Sequence, residues 1–208
     1  NNKFDNTGVS ATATTTVKIQ VNSTDANGDH VVGFILYGKN TDAQAISATI
    51  SVGSTTAASD LSNLRDAINA YSANTGIRAT LSADKTNIII VQDEGEDVVI
   101  EDVDFATVTN GNTKFTFTAM SQDQTDEAAT QITTVTDTQH GASTDSVRFT
   151  GQITFHSSQT FTISATAGEG LFEAAPGTAT LNKVSTIDIR TVAGAVDALK
   201  VIDRALDR

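Results

Sequence analysis

The sequence predicts an α+β protein in which β-structure predominates, built from short antiparallel strands with one packed helix. Three observations support this fold class. Thr, Ser, Ala and Val dominate the composition and only 5% of residues are aromatic, which suits short strands with small side chains. Stretches of alternating apolar and polar residues recur along the chain. The segment Asp60 to Ala73 instead places apolar residues at spacings of three and four, as an amphipathic helix does.

Length, charge and cysteine content limit the classes of function. A chain of 208 residues with 38% apolar residues can form one or two domains with a real core. Its net charge of -12 would repel phosphate backbones and anionic lipid head groups, so we expect neither nucleic acid nor membrane partners. The absence of cysteine excludes disulfides, thiolate metal sites and cysteine nucleophiles.

The first strands are predicted from alternation and from a turn signal. Val17 to Val21 alternates in the strand period, and Asn27-Gly28 is typical of the tight turn that joins two paired strands. His30 to Tyr37 follows this turn, so we expect a β-hairpin. Ile46 to Val52 then predicts a third strand whose apolar residues share one face.

A helix and a second hairpin come next. Ser59 is predicted as the N-cap of the helix and Gly76 as the left-handed residue that ends it. The chain then turns between two further strands, Ile77 to Ser82 and Ile88 to Val91. The predicted buried face of the helix consists of Leu61, Leu64, Ile68 and Tyr71.

The remainder is mostly strand until the C-terminus. Short strands separated by polar turns are predicted at Val98 to Ile100, Lys114 to Thr118, Ile132 to Val135, Val147 to Phe155, Thr160 to Ala165 and Val184 to Ile189.

The last segment has the apolar repeat of a coiled coil. The steps alternate between three and four residues, with Thr191 as N-cap. An isolated helix of about 17 residues is marginal in water, so we expect a partner helix outside this sequence or in a neighbouring chain. A helix lying on the chain's own sheet is the less favoured alternative, because it would bury a broader stripe. The predicted packing seam consists of Val192, Ala195, Leu199, Ile202 and Leu206.

One phrase occurs twice, as Asn6-Thr7-Gly8 before Val9 to Ala13 and as Asn74-Thr75-Gly76 before Ile77 to Leu81. The second copy follows a complete predicted helix, whereas the first begins near Asn1. We therefore expect that the chain is an excised piece, cut within a helix.

Two segments carry a family resemblance. Ile46 to Val103 resembles the IN motif of bacterial flagellins and their hook-associated relatives. The resemblance rests on Asp60-Leu61-Ser62-Asn63-Leu64, Ala67-Ile68-Asn69-Ala70 and Thr75-Gly76-Ile77-Arg78-Ala79. Ser185 to Thr191, followed by Gly194-Ala195 and Ala198 to Leu206, looks like the entry into the C-terminal core helix of flagellins. The resemblance does not extend to Phe105 to Lys183.

The resemblance implies a flagellin outer-domain fragment. Residues 1–13 would be a stub of the helical core domain, 14–183 the variable outer region with the IN-type unit at about 46–103, and 184–208 a second core stub. Residues 105–183 would complete that region or form a separate subdomain. Such a chain is a structural subunit of the extracellular flagellar filament, not an enzyme, and needs no cofactor. Its partners are other flagellin subunits, with an export chaperone and innate immune receptors for the full-length protein.

Two other functions stay open. A hook-filament junction or cap protein shares the IN motif and related helices. A glycan-binding or adhesive module could also sit on a filament subunit, although the chain has no Trp and only Tyr37 and Tyr71 as tyrosines for stacking on sugars.

Little in the sequence indicates chemistry at a site. The acidic run Asp93, Glu94, Glu96 and Asp97 is either a calcium-binding loop or a solvated face that favours solubility, and the second interpretation is favoured. His30, His140 and His156 lack ligand spacing. No Gly-x-Ser-x-Gly nucleophile elbow occurs, and no catalytic residue is predicted.

Overall fold

The computed structural model describes residues 8–23, 28–52, 60–105, 113–120, 127–136, 146–157, 160–163, 177–178, 189–190, 194–195, 198–199 and 201–202. The chain divides into two compact units, one formed by Asn1–Thr12 with Thr154–Arg208 and the other by Ala13–Ile153. The division into core stubs and an outer region stays a prediction.

Strands make up most of the described structure, which confirms the predicted fold class. In chain order the elements are β1 (Val9–Ser23), β2 (Gly28–Tyr37), β3 (Gln44–Val52), α1 (Ser62–Ala70), α2 (Ser72–Thr75), β4 (Ile77–Leu81), β5 (Asn87–Gln92), β6 (Val98–Phe105), β7 (Thr113–Met120), β8 (Glu127–Thr136), β9 (Val147–Phe149), β10 (Gln152–Ser157), β11 (Thr162–Ile163) and β12 (Gly177–Thr178).

Two antiparallel sheets form the larger unit. One has the strand order β4-β5-β1-β7-β8 and the other the order β3-β2-β6-β9. Alternate residues of each sheet point into a common core, as the buried Ile19 and Ile88 of the first sheet and Val32 and Ile100 of the second show. The rings of Phe34 and Phe115 meet edge to face across this core, with centroids 6.4 Å apart. The larger unit is therefore a β-sandwich.

The smaller unit contains the start of β1 beside β10. The Ser10 hydroxyl lies 3.4 Å from the His156 carbonyl oxygen and donates to it, and Thr12 Oγ1 lies 3.2 Å from His156 Nε2. Strands β11 and β12 pair with each other in the same unit, with Thr162 opposite Thr178.

The predicted hairpin of Val17 to Val21 with His30 to Tyr37 is wrong. Strand β1 pairs with β5 and β7, whereas β2 pairs with β3 and β6 in the other sheet. Both edges of β1 and both edges of β2 are thus occupied by other strands, so β1 and β2 do not pair with each other. Alternation fixes which side chains are buried, but it does not choose between two sheets that share one core.

The predicted single strand from Val147 to Phe155 is two strands. Thr150 and Gly151 separate β9, which pairs with β6, from β10, which pairs with β1. A Cβ at Gly151 would press on the Gly95 carbonyl oxygen, so the chain changes sheets at a point where only glycine fits without displacement.

Other local predictions hold. Ile46, Ile50 and Val52 of β3 are buried on one face, and β4 pairs with β5 as the second hairpin. The helix is interrupted at Tyr71, which is 38% exposed, so its place on the predicted buried face is wrong. Of the predicted strand Val184 to Ile189, only Ile189 lies among the described residues, and it is not in a strand.

Candidate functional site

The residues that carry the resemblance meet where the helix crosses the side of the sandwich. Asp60 begins this region, because its backbone N–H donates to Ser51 O of β3 at 2.8 Å and its carbonyl accepts from Ser51 N at 3.3 Å. Its side chain also starts the helix, since Asp60 Oδ1 accepts from Ser62 N at 2.9 Å. The predicted N-cap, Ser59, lies outside the described residues, and the helix begins at Ser62 after Leu61.

The local hydrogen bonds change the acidity of Asp60. The side chain and backbone N–H of Ser62, followed by the Lys85 ammonium 3.1 Å away, lower the pKa of the Asp60 carboxyl to about 2. Donors that bind the charged form favour it over the neutral acid. Asp60 therefore stays ionised well below the pH at which a free aspartate takes up a proton.

Two asparagines fasten helix α1 to strands of different sheets. Asn63 Nδ2 donates to Thr49 O of β3 at 2.9 Å. Asn69 makes two bonds to one residue of β4: its Nδ2 donates to Ala79 O at 2.9 Å and its Oδ1 accepts from Ala79 N at 2.8 Å. Leu64 and Ile68, on the inner face of α1, are fully buried. The helix thus closes the sandwich between the edge strands β3 and β4.

The end of the helical segment is fixed by Thr75 and Gly76. Thr75 Oγ1 donates to Tyr71 O at 3.0 Å and accepts from Ile77 N at 3.1 Å. Gly76 has φ of +71°, as predicted for a left-handed C-terminal residue. Gly8, in the other copy of the repeated phrase, also has a positive φ of +63° and directly precedes β1. In both copies, a glycine with positive φ directly precedes a strand.

The acidic run is a loop of ion pairs and backbone contacts. Arg78 pairs with Asp93, Arg148 Nε donates to Asp97 Oδ2 at 2.6 Å, and Lys39 Nζ lies 4.0 Å from Glu94 Oε1. Such exposed pairs contribute about 0–1 kcal/mol each. In the described part of the chain, acidic and histidine side chains form no group of three that could hold a metal ion. The calcium interpretation of Asp93, Glu94, Glu96 and Asp97 stays a prediction.

A buried glutamine, which the sequence reasoning missed, organises this loop. Gln92 is fully buried, and its Oε1 accepts from Glu94 N at 2.9 Å and from Glu96 N at 3.0 Å. Thr15 Oγ1 donates to Glu96 O at 2.7 Å. Only its position at the end of the apolar strand Ile88 to Val91 could have pointed to Gln92. The loop is therefore held through its backbone, independently of its carboxylates.

In the part of the chain that the structure describes, one serine–lysine pair and two histidines remain to be placed. Ser82 and Lys85 have the Ser-x-x-Lys spacing of some serine hydrolases. However, the Ser82 hydroxyl donates to Asp84 Oδ1 at 2.6 Å, and Lys85 Nζ binds Asp60. Both side chains are therefore engaged in contacts at the turn between β4 and β5 and at the start of α1. His30 lies in β2 and His156 in β10, and His140 lies outside the described residues.

The predicted C-terminal seam is partly described. Residues 194–195, 198–199 and 201–202 are helical. Leu199 is 67% and Ile202 41% exposed, and Ala195 is half-buried. Ala198 is 6% exposed although the predicted seam omits it. Val192 and Leu206 lie outside the described residues, and the seam stays a prediction.

These contacts define the class of fold: a β-rich domain in which a helix closes the side of a β-sandwich. Residues 36–94 match the family model of the flagellin hook IN motif. This segment is therefore similar to a motif of flagellins and hook proteins. The match runs from the end of β2 to just beyond β5, whereas the sequence resemblance had indicated residues 46–103. The family of this motif is structural rather than enzymatic. No curated protein matches the chain. None of the described helices is long and apolar enough to cross a membrane.

Proposed function

We propose that this chain is the surface-exposed region of a structural subunit of the bacterial flagellar filament. The observation that carries the proposal is the match of residues 36–94 to the flagellin hook IN motif. In this role the chain lies outside the cell and assembles with other flagellin subunits. Its net charge of -12 favours solubility and separation of neighbouring filaments.

The contacts made by the motif residues support a structural role. The polar side chains of Asp60, Asn63, Asn69 and Thr75 each bind backbone groups. A site that binds a substrate would instead turn polar groups toward a cavity. The work of these residues is to hold a helix against two strands.

We also propose that assembly uses the predicted seam of Val192, Ala195, Leu199, Ile202 and Leu206. The exposure of Leu199 and Ile202 supports this assignment, because a coiled-coil seam remains open until another helix packs into it. The partner would be a core helix of flagellin type, in the same subunit or in a neighbouring one.

Assembly of the chain joined at both ends to flagellin-type core helices tests these proposals. We expect long filaments on salting-out, seen by negative-stain electron microscopy. A double substitution, L199D with I202D, should prevent polymerisation, since two charges would enter the seam. V31D is the matched control: Val31 is 37% exposed, close to the 41% of Ile202, but lies in β2.

The assembly products separate the alternatives. Short rings or junctions instead of long filaments would favour a hook-filament junction or cap protein. A protein that stays monomeric contradicts the filament role. Filaments formed equally well by the seam variant and by V31D would contradict the assignment of the seam.

A further inference from the structure

The outer edge of β4 has its backbone groups bound by side chains of the helical segment. Strand β4 lies at the end of its sheet. In an antiparallel pair, every second residue directs its backbone groups toward the partner strand. In β4 these residues are Arg78 and Thr80, so the backbone groups of the residues between them point away from β5. Of these outward groups, Ile77 N is bound by Thr75 Oγ1, and both Ala79 N and Ala79 O are bound by Asn69. The amide of Asn69 thus occupies the place that a neighbouring strand would take.

The edge of β3 is closed by the other end of the same segment. Strand β3 ends the second sheet. Its outward groups at Ser51 pair with the backbone of Asp60, and Thr49 O accepts from Asn63 Nδ2. One continuous segment, Asp60 to Gly76, therefore closes an edge of each sheet.

We infer that Asp60 to Gly76, which we call the edge guard, prevents further strands from pairing with these two sheet edges. When the Asn69 amide is lost, the edge of β4 beneath it pairs with the same edge of a second copy of this chain. An open sheet edge is a template for another strand. Pairing by strand addition needs unoccupied backbone donors and acceptors, and the edge guard occupies three of them on β4: Ile77 N, Ala79 N and Ala79 O.

The two edges differ in how easily they are opened. At β3, Ser51 is paired with Asp60 through two backbone bonds, which no single side-chain substitution removes. At β4, both groups of Ala79 depend on one side chain, Asn69. Loss of that amide exposes a donor and an acceptor on one residue, the arrangement that an antiparallel partner strand binds. The second copy presents the same five-residue strand, so the pairing is symmetric.

This inference goes beyond the proposed filament role and does not depend on it. It requires only the folded chain, at a concentration high enough for two copies to associate. It also gives a physical reason for asparagine at position 69: a side chain with a donor and an acceptor is needed to replace both groups of a missing strand.

Light scattering coupled to size exclusion, over a hundredfold range of concentration, tests the guard in the whole chain. We expect N69A to associate increasingly with concentration while the unsubstituted chain stays monomeric. Amide exchange at Ala79 should be at least tenfold faster in dilute N69A. N74A is the matched control, because Asn74 is exposed, lies in α2, and its side-chain amide donates to another side chain, Gln44 Oε1 at 3.5 Å, instead of to a backbone group of a sheet edge. It should behave as the unsubstituted chain.

A double variant distinguishes edge pairing from general unfolding. Proline at position 79 removes the outward N–H and is tolerated on an edge strand, so N69A with A79P should return to the monomer. If N69A fails to fold, N69L keeps the side-chain volume without its hydrogen bonds and takes its place. A monomeric Asn69 variant at all concentrations overturns the inference, whatever its exchange rate. Association that persists with A79P overturns it as well.

Discussion

Two helical regions of this chain have similar apolar spacing but differ in what covers their apolar side chains. In α1, Leu64 and Ile68 are fully buried against the sandwich. In the C-terminal helical residues, Leu199 is 67% and Ile202 41% exposed. The difference teaches that apolar periodicity predicts a helix without predicting where its apolar face finds cover. The apolar face of α1 is covered within its own domain, whereas we propose that the apolar face of the C-terminal helical residues is covered by another helix.

Equal truncations of the two regions should give the largest contrast. L64A removes a fully buried side chain and should lower the free energy of unfolding by about 2–5 kcal/mol, through lost burial and a residual cavity. L199A removes a mostly exposed one and should change it by no more than about 0.5 kcal/mol. Urea unfolding followed by circular dichroism measures both.

The same pair can break the comparison. A loss for L199A as large as that for L64A would mean that Leu199 is covered in solution. A neutral L64A would mean that α1 contributes little to the core. Either result removes the contrast between the two helices.

Features with local causes were predicted well from the sequence. The face of β3, the β4–β5 hairpin and the left-handed Gly76 depend on residues within a few positions of one another, so alternation and turn chemistry were enough. The bounds of the helix were less well predicted, because Asp60 pairs with Ser51 of β3 before the helix begins. The break between α1 and α2 at Tyr71 was likewise not predicted.

Features with remote causes were not predictable from one sequence. Val17 lies opposite Ile90 and Ala119, which are far from it in the chain, and nothing in Val17 to Val21 specifies those partners. Likewise, the family resemblance named Asn69 and Ala79 without showing that they bind each other. A polar residue on a helix reads as a solvated position until the neighbouring sheet edge is known. The contacts that explain the motif are therefore the ones that periodicity cannot show.

A close backbone approach inside the motif gives the second prediction. Lys39 N donates to Thr75 O at 2.9 Å, and a Cβ added at Gly38 would overlap that carbonyl oxygen. G38A should therefore lower the free energy of unfolding by about 1–3 kcal/mol, because a backbone atom must move. G28A is the control, since a Cβ at Gly28 meets nothing within 4 Å. If thermal unfolding shows G38A as stable as G28A, the motif is less tightly closed on itself than these contacts indicate.

The smallest expected effect is the pH dependence that begins at the start of α1. The Asp60 carboxyl has its pKa lowered from 3.8 to about 2, chiefly by Ser62. Between these values the unfolded chain takes up a proton that the folded chain refuses, so this contribution to stability is complete above about pH 4 and is lost as the pH falls toward 2. D60N should lower the melting temperature at pH 5, and its difference from the unsubstituted chain should shrink by pH 2. K85M, which keeps both Ser62 bonds, should retain most of this dependence. A D60N difference that is constant from pH 5 to pH 2 would show that the Asp60 charge contributes nothing to holding the helix against β3.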